Sequence, residues 1–214
     1  MNEKDLLHSV EYAVLTPSFT NEDIRKAVDF AAERKIKTIT VSSQRTKFTS
    51  ILAEGRDMNV NTVISFPTGM AAIPVKRCEA EWAVTHGANS LAFALNLGAF
   101  LECSPDFVMK EVTEILAAAD GRPVTSIIET ALLSSNQIVK IAGIAAREGS
   151  EWIQLSTGTN ETCLDAELIA AVRDEVPSGV GIKAAVPQLT QKIGDGLLAA
   201  GVTQIVTSGF DEVF

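Results

Sequence analysis

The sequence predicts an α/β fold, a single (β/α)8 TIM barrel, on three observations. Short strand-like runs recur at intervals of roughly 25 to 35 residues, each followed by a helical pattern, the signature of βα units around a parallel sheet. Eight such runs can be placed in a chain of 214 residues, which sits at the lower end of the barrel size range. No GxGxxG turn follows the first run, where the residues are Thr16-Pro17-Ser18-Phe19. A doubly wound open sheet is the alternative for such a pattern, and it would favour that turn.

Taken in order, the runs lie near Val10 to Leu15, Thr38 to Val41, Asn61 to Ser65, Ser90 to Leu95, Val124 to Ile128, Trp152 to Leu155, Gly179 to Lys183 and Gln204 to Thr207. Between them stand helix signals. Thr20-Asn21-Glu22-Asp23 has capping-box spacing and an acidic first turn, and Ile24, Ala27, Val28 and Ala31 follow at helical steps. Ser104-Pro105-Asp106 places proline in a first helical turn, and Ser134-Ser135-Asn136-Gln137 precedes Ile138, Ile141, Ala142 and Ala145. Gly87, Gly149 and Gly201 read as helix-closing residues, with His86 in a structural role beside the first. No linker, low-complexity tract or charge block divides the chain, so one domain over residues 1–214 is expected.

Composition narrows the function. A net charge of -9 argues against a nucleic acid or an anionic membrane as partner, since both need a basic face. No uncharged apolar run is long enough to span a bilayer, and Met1-Asn2-Glu3-Lys4-Asp5 does not read as a secretory signal, so the cytoplasm is the expected location. Cys78, Cys103 and Cys163 are odd in number and far apart, which argues against a disulfide framework or a CxxC metal site. His8 and His86 lie in different parts of the chain, so no metal centre and no cofactor are expected. A small molecule or a protein remains as partner.

Six segments carry a resemblance in order and spacing: Phe66-Pro67-Thr68-Gly69, Gly87-Ala88, Asn96-Leu97-Gly98-Ala99, Ile127-Ile128-Glu129-Thr130, Leu155-Ser156-Thr157-Gly158 and Val180-Gly181-Ile182-Lys183-Ala184. Together they resemble the deoxyribose-phosphate aldolases, metal-independent class I lyases, over nearly the whole chain. The resemblance implies the barrel, with the active site at the carboxyl ends of its strands. It also implies Schiff-base chemistry by a lysine on the sixth strand, a neighbouring lysine on the seventh that lowers its pKa, and commonly a homodimer.

Against that pattern three positions depart. The family's Schiff-base lysine corresponds to Gln154, whose amide nitrogen cannot act as an amine. Its proton-transfer aspartate on the fourth strand corresponds to Ala92, read here as barrel filling. After the seventh-strand lysine the family has a serine and paired glycines, whereas this chain reads Ala184-Ala185-Val186-Pro187-Gln188, which lacks a phosphate cradle. Thr207-Ser208-Gly209 is the remaining candidate to hold an anion.

These departures lead to the expectation of a degenerate aldolase-like barrel, a pseudoenzyme that binds a small metabolite or a protein partner. The alternative is a diverged class I aldolase or carbonyl-lyase acting on an aldehyde or sugar derivative. In it Lys183, at the end of the seventh strand, is the Schiff-base amine and Glu129 its acid or base; Glu129 held by loop N–H groups is the structural counterpart. The ligand-binding candidates are Gln154, Asn96, Ser156, Thr207 and Ser208, with Glu11, Thr40 and Ser65 expected at the same mouth. Lys47, Lys76, Lys140 and Lys192 fall in helix patterns outside the barrel. Trp82 and Trp152 read as packing residues, and Phe210, Val213 and Phe214 as an apolar segment covering the barrel bottom or a subunit contact.

Overall fold

The computed structural model describes residues 3–102, 105–160 and 164–210. Cys103, Ser104, Cys163, Val213 and Phe214 lie outside the described residues, so the readings that concern them have no structural counterpart. The helices are α1 (Glu3–His8), α2 (Asn21–Glu33), α3 (Thr46–Ala53), α4 (Ile73–Thr85), α5 (Leu97–Leu101), α6 (Pro105–Ala118), α7 (Ser135–Arg147), α8 (Ala166–Glu175) and α9 (Gln191–Ala199). The strands are β1 (Val10–Val14), β2 (Thr38–Ser42), β3 (Asn59–Ile64), β4 (Ser90–Ala94), β5 (Val124–Ile128), β6 (Trp152–Leu155), β7 (Gly181–Val186) and β8 (Gln204–Thr207). They pair in sequence order, all parallel, and β8 closes onto β1. The expected eight-stranded barrel is what the chain forms.

Local chemistry accounts for the helix ends. Thr20 caps α2 through the predicted box with Asp23, and Ser134 does the same for α7 with Gln137. Ile24, Ala27, Val28 and Ala31 are buried on α2, and Ile138, Ile141, Ala142 and Ala145 on α7, so both helices turn their apolar stripe to the sheet. Gly87, Gly149 and Gly201 have φ of +97°, +111° and +105°, the conformation that ends a helix at little cost without a Cβ.

Strand alternation then divides the barrel into two cores. Leu91, Phe93, Ile128, Ile153, Ile182 and Ile205 point outward into the layer beneath the helices, where each buried aliphatic side chain contributes about 1.5–3 kcal/mol. The inward set above the barrel's middle is small and apolar: Ala13, Ala185 and Val206 pack together against Leu15, and Val63, Ala92 and Ile127 pack against Leu15 and Phe66. Ala92 therefore fills the interior, as read from the sequence.

Three placements differ from expectation. Strand β7 begins and ends later than the sequence suggests, which puts Lys183 third of its six residues instead of at its end. Trp82 is 53% exposed, because Val75, Cys78 and Trp82 lie on the solvent side of α4, and its ring stacks on His86 at 3.7 Å instead of entering a core. Phe210 packs beside Tyr12 and Phe30, with ring centroids 5.3 and 5.2 Å away, on the outside of the β1 and β8 seam and not under the barrel. Among the described residues no helix is long and apolar enough to cross a membrane.

Candidate functional site

At the carboxyl ends of the strands the barrel opens into a mouth of three adjoining lobes, of about 450, 320 and 400 Å³. The first lies over β1 to β3, the second between β1 and the ends of β6 to β8, the third over β4 to β6. Thr159 lines all three, and Leu15, Thr16, Pro17 and Phe66 line the first two. Phe66 and Pro67 are held over the opening by the turn at Gly69, where φ is +66° and an added Cβ would lie 2.2 Å from the Leu95 carbonyl oxygen. Only glycine allows the loop to approach the end of β4 so closely.

The floor of this mouth is the apolar layer of Ala13, Ala185, Val206, Val63 and Ile127. Lys183 lies below it. Its Nζ is 2.6 Å from Glu11 Oε2 and 5.0 Å from the centroid of the Trp152 ring, at the amino-terminal end of β6. Room for that ring comes from Gly181, where a Cβ would be 2.2 Å from it. Glu11 Oε1 in turn accepts from Thr40 Oγ1 and, at 2.9 Å, from Asn61 Nδ2, while Ser90 Oγ donates to Asn61 Oδ1 at 2.9 Å. Strands β1, β2, β3, β4 and β7 each supply one member of this buried network. Lys183 is 5% exposed and Glu11 1%. Lys183, Glu11 and Thr40 were expected at the mouth; the barrel places them in its interior, because the pleat and the register carry these positions one layer lower.

Other expected residues are distributed differently. Gln154 is buried, pairs in register with Lys183 and Ile127, and donates from Nε2 to the Ser156 carbonyl at 3.0 Å. Ser156 has φ of +70°, and its Oγ accepts from the Gly158 N–H at 3.0 Å, so the hydroxyl holds the turn. Ser65 does similar work, its Oγ accepting from the Ala71 N–H at 3.2 Å. Glu129 does line the third lobe, as does Asn96. The Glu129 carboxylate accepts from the N–H of Ala131 at 3.2 Å, from the N–H of Thr157 at 3.4 Å and from the Thr157 hydroxyl. Asn96 caps α5 by accepting from the Ala99 N–H at 3.1 Å.

Thr207 and Ser208 line the second lobe, but both hydroxyls are used inside the protein. Thr207 Oγ1 donates to the Gly209 carbonyl at 2.8 Å and accepts from its N–H at 3.3 Å; Ser208 Oγ donates to the Pro187 carbonyl at 3.2 Å. Leu189 N–H donates to the Gly209 carbonyl at 2.9 Å, so the segments after β7 and β8 are tied to each other.

Two features of the site escaped the sequence reading. Arg45, just past β2, lines the first lobe and donates to Asn21 Oδ1 at 2.5 Å and to the Phe19 carbonyl at 2.9 Å. Its place immediately after a barrel strand was the available signal. The second is a buried pair behind the third lobe: Lys76 Nζ lies 2.5 Å from Glu111 Oε1 and 2.7 Å from the Ala94 carbonyl, while Glu111 Oε2 accepts from the Asn96 N–H at 3.1 Å. Lys76 is outside the barrel, as expected, yet fully buried between α4 and α6. Desolvation pulls the Lys76 ammonium below its usual pKa and pushes the Glu111 carboxyl above its own, each opposed by the other's charge.

No protein-family model matches the chain. A deoxyribose-phosphate aldolase of Bacillus mycoides (strain KBAB4) is 30% identical over 200 residues, covering 93% of this chain and 90% of the relative. The chain belongs to the deoxyribose-phosphate aldolase family. Solved structures agree: an aldolase termed QR15 superposes with a TM-score of 0.89 at 28% identity, over 95% of this chain and 91% of that one. The tetrameric deoxyribose phosphate aldolase of Aeropyrum pernix gives 0.88 at 27% identity, over 97% of this chain and 88% of that one. Within the deoxyribose-phosphate aldolase family, then, this member carries glutamine at position 154 and has Lys183, the one strand lysine among the described residues, ion-paired below the floor of the mouth.

Proposed function

We propose that this member of the deoxyribose-phosphate aldolase family binds a small molecule at its mouth and does not cleave deoxyribose 5-phosphate through an imine. The observation that carries the reading is the position of Lys183. Imine formation needs an amine with access to a carbonyl carbon. On this reading the Lys183 ammonium serves as counter-ion to Glu11, separated from the mouth by the apolar layer, and Gln154 supplies no substitute. Ala92 adds to this, since a methyl group can neither take nor deliver a proton. Glu129, with its oxygens already accepting from Ala131 and Thr157, acts as the clasp between the loops after β5 and β6 and not as an acid or base.

The test is intact-protein mass after incubation with acetaldehyde, and separately with deoxyribose 5-phosphate, in the presence of borohydride, comparing the natural chain with Lys183→Ala. The expected result is no reduced adduct beyond what the variant shows, and no release of acetaldehyde from deoxyribose 5-phosphate. A stoichiometric adduct that disappears in Lys183→Ala would overturn the reading and assign the lysine an imine role.

A further inference from the structure

We infer that the mouth selects an uncharged, largely apolar molecule whose polar end faces the rim, and excludes phosphorylated sugars. The inference rests on the reading of the mouth as a binding site and adds the chemical class of its occupant. Three observations carry it. The floor and inner walls are hydrocarbon: Ala13, Val63, Ala185 and Val206 below, Leu15 and Phe66 between the lobes. A polar ligand seated there would lose its hydration without replacement partners, which disfavours it against a hydrocarbon of the same size.

The second lobe, where loops after β7 and β8 hold phosphate in many barrels, is not built for it. Pro187 has no N–H, the Leu189 and Gly209 N–H groups are taken by Gly209 and Thr207, and the Thr207 and Ser208 hydroxyls point to backbone carbonyls. No lysine or arginine lines this lobe among the described residues.

Charge is the third observation. The described side chains lining the mouth include one cation, Arg45, and two carboxylates, Glu79 and Glu129. Glu79 accepts from Ser43 Oγ at 2.7 Å and from the Ser65 N–H at 2.8 Å, so its charge is held in place. A net negative opening on a chain of net charge -9 repels a dianionic phosphate. Thr16, Gln44 and Asn160 stand exposed at the rim and offer hydroxyl and amide groups to the outward end of an uncharged ligand. Lobes of this size fall in the usual range for small-molecule sites.

The probe is N-phenyl-1-naphthylamine, an uncharged apolar dye whose emission rises on leaving water, titrated against the natural chain, Thr16→Trp and Thr159→Trp. Both positions are exposed at the mouth, so either indole can block it without disturbing a core, and thermal melts confirm folding. The double variant Val75→Ser/Trp82→Ser removes the apolar face of α4 as a competing site. Expected are saturable binding to the natural chain, at least tenfold weaker binding in a mouth variant, unchanged binding in the α4 variant, and no displacement by excess inorganic phosphate or deoxyribose 5-phosphate. The inference is overturned if the natural chain does not bind the dye, if binding survives both mouth variants or is lost with the α4 face, or if either phosphate compound displaces it. Borohydride trapping reads Lys183 and this titration reads the mouth, so each proposal can fail alone.

Discussion

Among the described residues there are two buried lysine–glutamate pairs, one inside the barrel and one outside it, and they differ in how the carboxylate is completed. Lys183 and Glu11 lie inside the barrel; Lys76 and Glu111 lie outside it, between α4 and α6. Glu11 retains neutral donors from Thr40 and Asn61 besides its lysine. The outer pair is completed by backbone instead, the Ala94 carbonyl and the Asn96 N–H, and so fixes two helices to the point where β4 delivers Asn96 to the mouth. Both lysines have the burial and the carboxylate partner that would suggest catalysis in isolation. On the proposed reading, what separates a structural lysine from a reactive one is a path from the amine to a substrate, and neither Lys76 nor Lys183 lines the mouth.

The comparison can be broken by measuring each pair. The largest loss is expected for Lys76→Met, about 3–5 kcal/mol in denaturant unfolding, because Glu111 is left as an uncompensated buried charge with one backbone donor. Replacing both partners, Lys76→Met with Glu111→Leu, should recover most of that loss. If the double variant is as unstable as the single one, the pair is not the source of the cost.

The pH dependence of Lys76→Met sharpens the same point. Burial already raises the Glu111 pKa, and removing Lys76 takes away a charge that lowers it. A carboxyl whose folded pKa lies above its unfolded value stabilises the fold most below the unfolded pKa and loses that contribution as pH rises through the folded one. The deficit of the variant should therefore be smaller at pH 5 than at pH 8. A deficit independent of pH would mean that Glu111 is solvated in the variant.

A smaller loss, about 2–3 kcal/mol, is expected for Lys183→Met, since Glu11 keeps its donors from Thr40 and Asn61. A loss matching that of Lys76→Met would erase the distinction between the pairs. Smallest is Asn61→Ala, about 1–2 kcal/mol from lost hydrogen bonds to Glu11 and Ser90 with the ion pair intact. An equal loss in Asn61→Ala and Lys183→Met would show the network acting as one unit.

The same pairs explain what was legible in the sequence. Trp152-Ile153-Gln154-Leu155, bounded by Gly149 and the Ser156-Thr157-Gly158 turn, could be read to the residue, and the strand is Trp152–Leu155. The run after Pro177 could not, because Gly179 and Val180 belong to a turn in which the Val180 N–H reaches the Pro177 carbonyl, and β7 starts only at Gly181. That shift moves Lys183 from a strand end to mid-strand, which in a barrel is the difference between mouth and interior. Lys76 carried no signal at all: its helical position looked like others on the outer face, and Glu111, 35 residues away, became its partner only when α4 met α6.

The sequence by itself determined the parallel βα architecture, the capping of α2 and α7, the family, and the presence of an amide, Gln154, on the sixth strand. These depend on chain-local propensities and on residue identity, which need no partner to be read. The tertiary structure alone decided that Lys183 faces Glu11 below an apolar floor, that the Ser208 hydroxyl is taken by the Pro187 carbonyl of the loop after β7, and that the mouth is apolar with a negative balance of charge. Those properties arise from register, strand tilt and the meeting of distant loops, where a shift of one layer changes which atoms a side chain can reach.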